Sequence, residues 1–136
     1  MLGIAIMAYA RPDYLRKTLA SLAQNDLSGC EVHLWQDGTR GAISGEPGDA
    51  AAIARSINVF EEANLPGAEV HAEKRNLCCA AQRMRMYPWM AERYERFISM
   101  DNDVLLGRWC IRHIRTLLEQ FRDDERWCSV SPGFKA

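Results

Sequence analysis

The chain has 136 residues, enough for one compact domain with a single core and too few for two. Hydrophobic residues make up 48% of the sequence and charged residues 26%, which is ordinary for a globular protein. The net charge of -1 indicates neither a nucleic-acid partner nor a basic membrane-binding face. An anionic ligand would therefore need a metal ion or a few basic side chains nearby.

Targeting and redox signals are weak. No segment approaches the roughly 20 apolar residues of a membrane span, and residues 1–9 lack the basic region of a signal peptide. The five cysteines show no Cys-x-x-Cys spacing and are predicted to be reduced, buried or half-buried thiols. We therefore expect a cytoplasmic protein with no membrane span.

The first half of the chain alternates between strand and helix. Residues 2–8 form a continuous apolar run, typical of a strand buried on both faces. Pro12 suits the first turn of a helix, whose apolar stripe consists of Leu15, Leu19 and Leu22. A second strand over residues 31–36 ends at Asp37. A loop rich in Gly, Ser and Pro then extends from Gly38 to Gly48.

The second half continues the alternation. A second helix carries the stripe Ile53, Ile57 and Phe60, and a short third strand covers residues 68–72. Asn76 can cap a third helix, in which the residues predicted to lie inward are Ala80, Ala81 and Met84. Pro88 should break or kink that helix. A fourth strand over residues 97–100 precedes a helix striped by Ile114, Leu117, Leu118 and Phe121, and Trp127 to Ser131 favours one more strand.

Four strand–helix units in succession predict an α/β fold with an open, mainly parallel sheet of about four strands, flanked by helices on both faces. Ligands of such sheets bind beyond the carboxyl ends of the strands, where the strand order reverses. Polar residues follow every predicted strand: Tyr9 and Arg11; Gln36 and Asp37; Lys74, Arg75 and Asn76; Asp101, Asn102 and Asp103. We expect them to converge at one edge of the sheet.

The acidic pair Asp101 and Asp103 is the most specific of these features. In an extended chain, residues i and i+2 project to the same side, and two adjacent carboxylates favour a bound cation or one raised pKa. Oxygen ligands suit Mg²⁺ and Mn²⁺. The pair is therefore predicted to bind a divalent metal, with a solvated acidic turn or a helix cap at Asp103 as the alternative.

Several other motifs are excluded. Leu105 stands where a calcium-binding loop needs an oxygen ligand, and the sequence contains no Walker A motif and no Gly-x-Gly-x-x-Gly after the first strand. Tyr9 and Ala10 stand where a phospho-receiver domain needs acidic residues. The three histidines, His33, His71 and His113, show no mutual spacing and are interpreted as structural.

Two kinds of residue stay open to more than one interpretation. Asp37 is either a nucleoside contact or a turn residue before glycine. Lys74, Arg75 and Arg83 either contact phosphates or are solvated surface groups that balance acidic neighbours.

Taken in order, these segments resemble the family-2 glycosyltransferases and related GT-A enzymes. Residues 4–22 read IAIMAYARPDYLRKTLASL, similar to the family's first strand and the helix after it. Residues 31–38 read EVHLWQDG, like its second strand with the Asp-Asp-Gly end, and residues 97–103 read FISMDND, like the strand with its Asp-x-Asp motif. Asn76, followed seven residues later by Arg83, resembles a further family segment. Gln36 and Cys78 depart from the family pattern, which has aspartate and glycine there.

The resemblance implies a Rossmann-like GT-A nucleotide-binding half, a nucleoside-diphosphate sugar donor, most often UDP-linked, and Mn²⁺ or Mg²⁺. Tyr9 and Asp37 would hold the nucleoside, Asp103 would ligate the metal, and Asp101 would face the ribose or metal-bound water. Arg83 would contact phosphates or fix the Asp-x-Asp loop. The remaining residues expected at the donor site are Arg11, Arg75 and Asn76.

Family members continue into an acceptor-binding half that supplies the general base, and we expect that half to be absent from residues 1–136. No catalytic residue is therefore assigned, and the acceptor is unknown. The alternatives are a non-catalytic nucleotide-sugar-binding module or assembly subunit, and a nucleotidyltransferase. We also expect that the surface left by the absent half permits a homo-oligomer.

Overall fold

A computed structural model of the chain describes residues 1–39, 50–129 and residue 131. The predicted loop from Gly38 to Gly48 falls outside them apart from its first two residues. The elements, in chain order, are β1 (Leu2–Ala8), α1 (Pro12–Leu22), β2 (Cys30–Gln36), α2 (Ala50–Glu62), β3 (Glu69–Ala72), α3 (Cys78–Arg93), β4 (Phe97–Asp101) and α4 (Cys110–Gln120).

The four described strands form one parallel sheet in the order β3-β2-β1-β4. The chain adds β2 and β3 on one side of β1 and then returns to add β4 on the other side. Crossover connections between parallel strands are right-handed, so this reversal of direction puts α3 on the opposite face from α1 and α2. The predicted α/β fold, a parallel sheet with helices on both faces, is confirmed.

Alternate residues of β1 serve two cores, which explains its continuous apolar run. Ile4 and Ile6 belong to the larger core, which also contains Leu15 and Leu22 of α1, Phe60 of α2 and Ile111 of α4. Ala5 and Met7 belong to the smaller core with Met86 and Met90 of α3. Burying a Leu or Ile side chain contributes about 1.5–3 kcal/mol, so a polar residue in the middle of β1 would weaken one of the two helical layers.

The predicted inward face of α3 is wrong. The side chains that it buries are Gln82, Met86 and Met90, whereas Met84 is 76% exposed and Ala80 and Ala81 are also exposed. Met86 and Met90, four residues apart, bury long apolar side chains and so decide which face of the helix packs on the sheet. The small side chains of the two alanines do not decide it. The helix also continues through Pro88, which is exposed, so water can satisfy the carbonyl that proline leaves without a partner.

Smaller differences from the prediction concern the buried face of α2, the residues after α4 and the exposure of two cysteines. The face of α2 that is fully buried consists of Ala52, Ser56, Val59 and Phe60, and Ile53 and Ile57 are half-buried. Residues 127–129 belong to no strand. The free cysteines Cys79 and Cys128 are exposed rather than buried. Within the described ranges, no helix combines the length and the apolar character that crossing a bilayer requires.

Candidate functional site

A cleft of about 250 Å³ lies beyond the carboxyl ends of β1, β2 and β4. Met7 of β1 is paired with Asp101 of β4, so Tyr9 and Asp103 continue from adjacent strands. The strand order reverses beside β1, which is where α/β sheets bind ligands. The polar residues that line the cleft are Tyr9, Arg11, Asp37, Gln82, Arg83, Asp101, Asn102 and Asp103.

Both aspartates of the acidic pair line this cleft, and each is paired with an arginine. Arg83 Nη2 donates to the two carboxylate oxygens of Asp101 at 3.1 and 3.2 Å, and Arg11 Nη1 donates to Asp103 Oδ2 at 3.1 Å. The Asp101 and Asp103 side chains are 50% and 40% exposed. Exposed pairs of this kind contribute only about 0–1 kcal/mol to the stability of the fold. The arginines therefore matter more for the charge of the cleft than for folding.

The segment after β4 is held against α1 by polar side chains that sequence reasoning missed. The buried Thr18 hydroxyl donates to the Asn102 carbonyl at 2.8 Å. The Leu106 N–H donates to Ser21 Oγ at 3.0 Å, and just beyond α1 the side chain of Asn25 accepts the N–H of Ile111 in α4 at 3.1 Å. Positions 18 and 21 follow helical spacing beside the apolar stripe of α1, and that spacing is the signal that could have revealed them.

Asp37 lies in the same cleft, but its carboxylate also has a structural role. The side chain is buried, and Oδ1 accepts hydrogen bonds from the Leu77 N–H at 2.7 Å and from the Gly38 N–H at 3.0 Å. A Cβ at position 38 would lie 2.4 Å from the Glu73 carbonyl oxygen. The Asp-Gly pair therefore joins the end of β2 to the connection between β3 and α3.

Two buried glutamines organise the strand ends, and sequence reasoning assigned a role to neither. Gln36 Nε2 donates to the carbonyls of Ala8, Tyr9 and Asp37 at 3.3, 3.1 and 2.9 Å. Gln82 Nε2 donates to the Trp35 carbonyl at 2.9 Å. Together they fix the ends of β1 and β2 where the cleft opens.

Arg75 and Asn76 are not among the residues that line the cleft. They follow β3, in a connection that meets the cleft at Asp37: the Gly38 N–H donates to the Arg75 carbonyl at 3.3 Å, and the Leu77 N–H donates to Asp37. Asn76 Oδ1 accepts the N–H of Cys78, the first residue of α3, at 3.0 Å, so this amide is used where the helix begins. The donor-binding role of both residues stays a prediction.

Comparison with known proteins was made on the sequence and on the fold. No family model matches the chain, and no curated protein matches it. Solved structures of S. aureus TarS, a glycosyltransferase, superpose with a TM-score of 0.60. The fold is GT-A-like.

The likeness to TarS is one of fold, because the sequences are only 12–13% identical. One TarS structure matches over 89% of this chain and 20% of its own, and a shorter one, residues 1–349, over 96% and 38%. Two further structures of TarS 1–349 hold UDP-GlcNAc and UDP. The chain therefore spans less than half the length of the TarS chains that it matches.

A second polar cluster lies on the sheet face that α3 covers, and we call it the histidine cluster: His33, Glu69 and His71. Register pairs His33 with Glu69 and Trp35 with His71, so residues 38 positions apart in sequence come into contact. Burial, the largest contribution for both histidines, lowers the pKa of His33 and of His71. The sequence does not show which strands are neighbours, so this contact between the two histidines could not be predicted from it.

Proposed function

We propose that the cleft binds a nucleoside-diphosphate sugar, UDP-linked in the first instance, with Mn²⁺ or Mg²⁺ at Asp101 and Asp103, as the donor site of a glycosyltransferase. The observation that carries the proposal is that both carboxylates line one cleft at the switch point of the sheet, beside two arginines. The GT-A-like fold supports it, as do UDP-GlcNAc and UDP bound by TarS.

The acidic pair fits a hard divalent ion. Its donors are carboxylate oxygens, which Mg²⁺ and Mn²⁺ prefer, and both side chains are accessible from the cleft. Releasing two exposed arginine pairs costs little, so the arginines do not prevent metal binding. The metal, when bound, would offset the negative charge that grows on the departing diphosphate.

The charges of the cleft support an anionic ligand. Three carboxylates and two guanidinium groups give the cleft a formal charge of about -1, so a bound divalent cation makes it positive. Arg11 and Arg83, once released from the aspartates, are the side chains suited to diphosphate oxygens, because a guanidinium group can donate two parallel hydrogen bonds. Tyr9 and Asp37 line the cleft directly after β1 and β2, and they would contact the nucleoside.

Calorimetry tests the proposal directly. UDP is titrated into the protein with and without Mn²⁺, and GDP is titrated in parallel to test base preference. We expect UDP affinity to rise with Mn²⁺ in the unaltered protein. In Asp103→Ala, affinity with Mn²⁺ should fall at least about 10-fold, or about 1.4 kcal/mol, to the metal-free value.

The matched control is Asp123→Ala, which removes an exposed aspartate beyond α4 and should leave binding unchanged. Nucleotide binding that ignores Mn²⁺, or an Asp103→Ala protein that keeps its metal dependence, would refute the assignment.

A non-catalytic donor-binding module is the second candidate. The three carboxylates that line the cleft each accept hydrogen bonds from the protein, which favours roles in binding and positioning over that of a general base. Donor hydrolysis and transfer assays distinguish the two functions: a binding module shows metal-dependent affinity without turnover.

A further inference from the structure

The histidine cluster brings three metal-ligating groups to one point. His33 Nδ1 lies 3.3 Å from His71 Nε2 and 3.5 Å from Glu69 Oε2, and His71 Nε2 lies 3.7 Å from Glu69 Oε1. Ligands at about 2.0–2.1 Å from a tetrahedral Zn²⁺ are separated from each other by roughly 3.3–3.4 Å. The two imidazole nitrogens are therefore spaced as a zinc ion requires, and the Glu69 carboxylate, which meets each ring through a different oxygen, lies slightly farther out.

The hydrogen bonds behind His33 set its tautomer. The Tyr94 hydroxyl donates its hydrogen to Glu31 Oε2, so toward His33 its oxygen can only accept. His33 Nε2, 2.6 Å away, must then carry the ring hydrogen, which leaves the Nδ1 lone pair directed at His71 and Glu69. An outer group that holds the second ring nitrogen in this way is the usual support of a metal-bound histidine.

The same tautomer places acceptors on two sides of His71 Nε2. His33 Nδ1 and Glu69 Oε1 are both acceptors, and both lie beside His71 Nε2. That nitrogen carries at most one hydrogen, which can satisfy one of them. A cation at the centre would satisfy both together.

We propose that His33, Glu69 and His71 bind a Zn²⁺ ion through two imidazole nitrogens and one carboxylate, with the fourth position open to water. Zinc accepts this combination of ligands. The site is separate from the cleft that contains Asp101 and Asp103, since none of its three residues lines that cleft. The inference therefore does not depend on the nucleotide-sugar proposal.

The surroundings leave the site accessible and its ligands rigid. β3 is at the edge of the described sheet, and the Glu69 side chain is 54% exposed, so an ion can enter from that side. The Trp35 ring stacks on His71 with centroids 4.2 Å apart, and Trp89 packs edge-on against both histidines. Arg93 lies on the face of Trp89, and its positive charge, which adds to burial in lowering the pKa of both histidines, works against a cation.

Cobalt spectroscopy tests the proposal on the whole chain. The purified protein is stripped with a chelator and titrated with Co²⁺, whose visible bands are intense in a tetrahedral site and weak in an octahedral oxygen site such as the acidic pair. We expect intense bands that saturate at one ion per chain and disappear when Zn²⁺ is added. A folded protein without these bands, which binds no Zn²⁺ in calorimetry, would overturn the proposal and leave a hydrogen-bonded histidine pair.

Ligand variants complete the test. His71→Ala and Glu69→Gln change residues at the sheet edge, and each should weaken Zn²⁺ binding by more than the roughly 10–100-fold that loss of an outer partner costs. His113→Ala removes an exposed histidine of α4 and Asp103→Asn alters the acidic cleft; both should keep the bands. Equal Zn²⁺ affinity in His71→Ala and the unaltered protein, or equal loss in His113→Ala, would contradict the assignment.

The outer partner gives a second readout. Tyr94→Phe removes the hydroxyl that holds His33 Nε2 and should weaken Zn²⁺ binding about 10–100-fold, whereas Tyr14→Phe, at an exposed position of α1, should not. Thermal unfolding of each variant verifies that it is folded before its affinity is compared.

Discussion

Asp37 connects two segments that are 40 residues apart in sequence. Its buried carboxylate accepts one N–H from its own turn and one from Leu77, which precedes α3. The sequence left two interpretations of this residue open, because an Asp-Gly pair is typical both of a turn and of the family's nucleoside contact. The hydrogen bonds establish the structural role, and the nucleoside contact stays a prediction.

Replacing Asp37 should therefore destabilise the fold even without ligand. In Asp37→Ala the Leu77 N–H loses its acceptor in a partly buried place, and an unsatisfied group of this kind costs about 1–3 kcal/mol. Urea unfolding measures the loss. Asp37→Asn keeps an acceptor oxygen and should lose less.

Asp26 provides the matched control, since its Oδ1 also accepts a backbone N–H, that of Ser28, but at an exposed site. Water replaces that acceptor, so Asp26→Ala should change stability far less. Equal losses in Asp37→Ala and Asp26→Ala would mean that the Leu77 contact does not stabilise the fold.

At the scale of elements, α1 positions the acidic segment. Its apolar stripe packs on the sheet, and the adjacent polar positions Thr18 and Ser21 bind the backbone that follows β4. The stripe and the four strands were predictable, because apolar periodicity is local and strands buried on both faces are continuous apolar runs. The rotation of α3 was not predictable, since alanine and methionine compete for the inward face and only packing against the sheet decides between them.

Thr18→Val tests this positioning. The substitution keeps the shape of the side chain but leaves the buried Asn102 carbonyl without its donor, at a cost of about 1–3 kcal/mol. Because Asn102 lies between the two aspartates, Mn²⁺-dependent UDP affinity should fall as well.

The control is Thr116→Val in α4, where the exposed hydroxyl donates to the Arg112 carbonyl within the same helix. Unfolding in urea and UDP calorimetry are compared for both variants. A Thr18→Val protein as stable as Thr116→Val would show that α1 does not hold the segment.

At the scale of the whole molecule, strand order decides which polar residues meet. The order β3-β2-β1-β4 brings together the ends of β1, β2 and β4, whereas Arg75 and Asn76, which follow β3, do not line the cleft. The same order pairs β2 with β3 and so assembles the histidine cluster on the face covered by α3. A linear sequence predicts the strands but not their neighbours, so it named most residues of the acidic cleft and missed the histidine cluster.

The two sites differ in their donor atoms, and a paramagnetic ion can therefore distinguish them. Oxygen ligands at the acidic pair favour Mn²⁺, whereas the two imidazoles of the histidine cluster favour Zn²⁺. Amide resonances of the chain, recorded by NMR with substoichiometric Mn²⁺ and UDP, report which residues lie close to the ion.

This Mn²⁺ experiment tests the central claim most directly. We expect selective broadening of the resonances around Tyr9, Arg83 and the segment from Asp101 to Asp103, at lower Mn²⁺ concentrations when UDP is present. Broadening confined to other parts of the chain, or none in the presence of UDP, would contradict a metal-dependent nucleotide site at the carboxyl edge of the sheet.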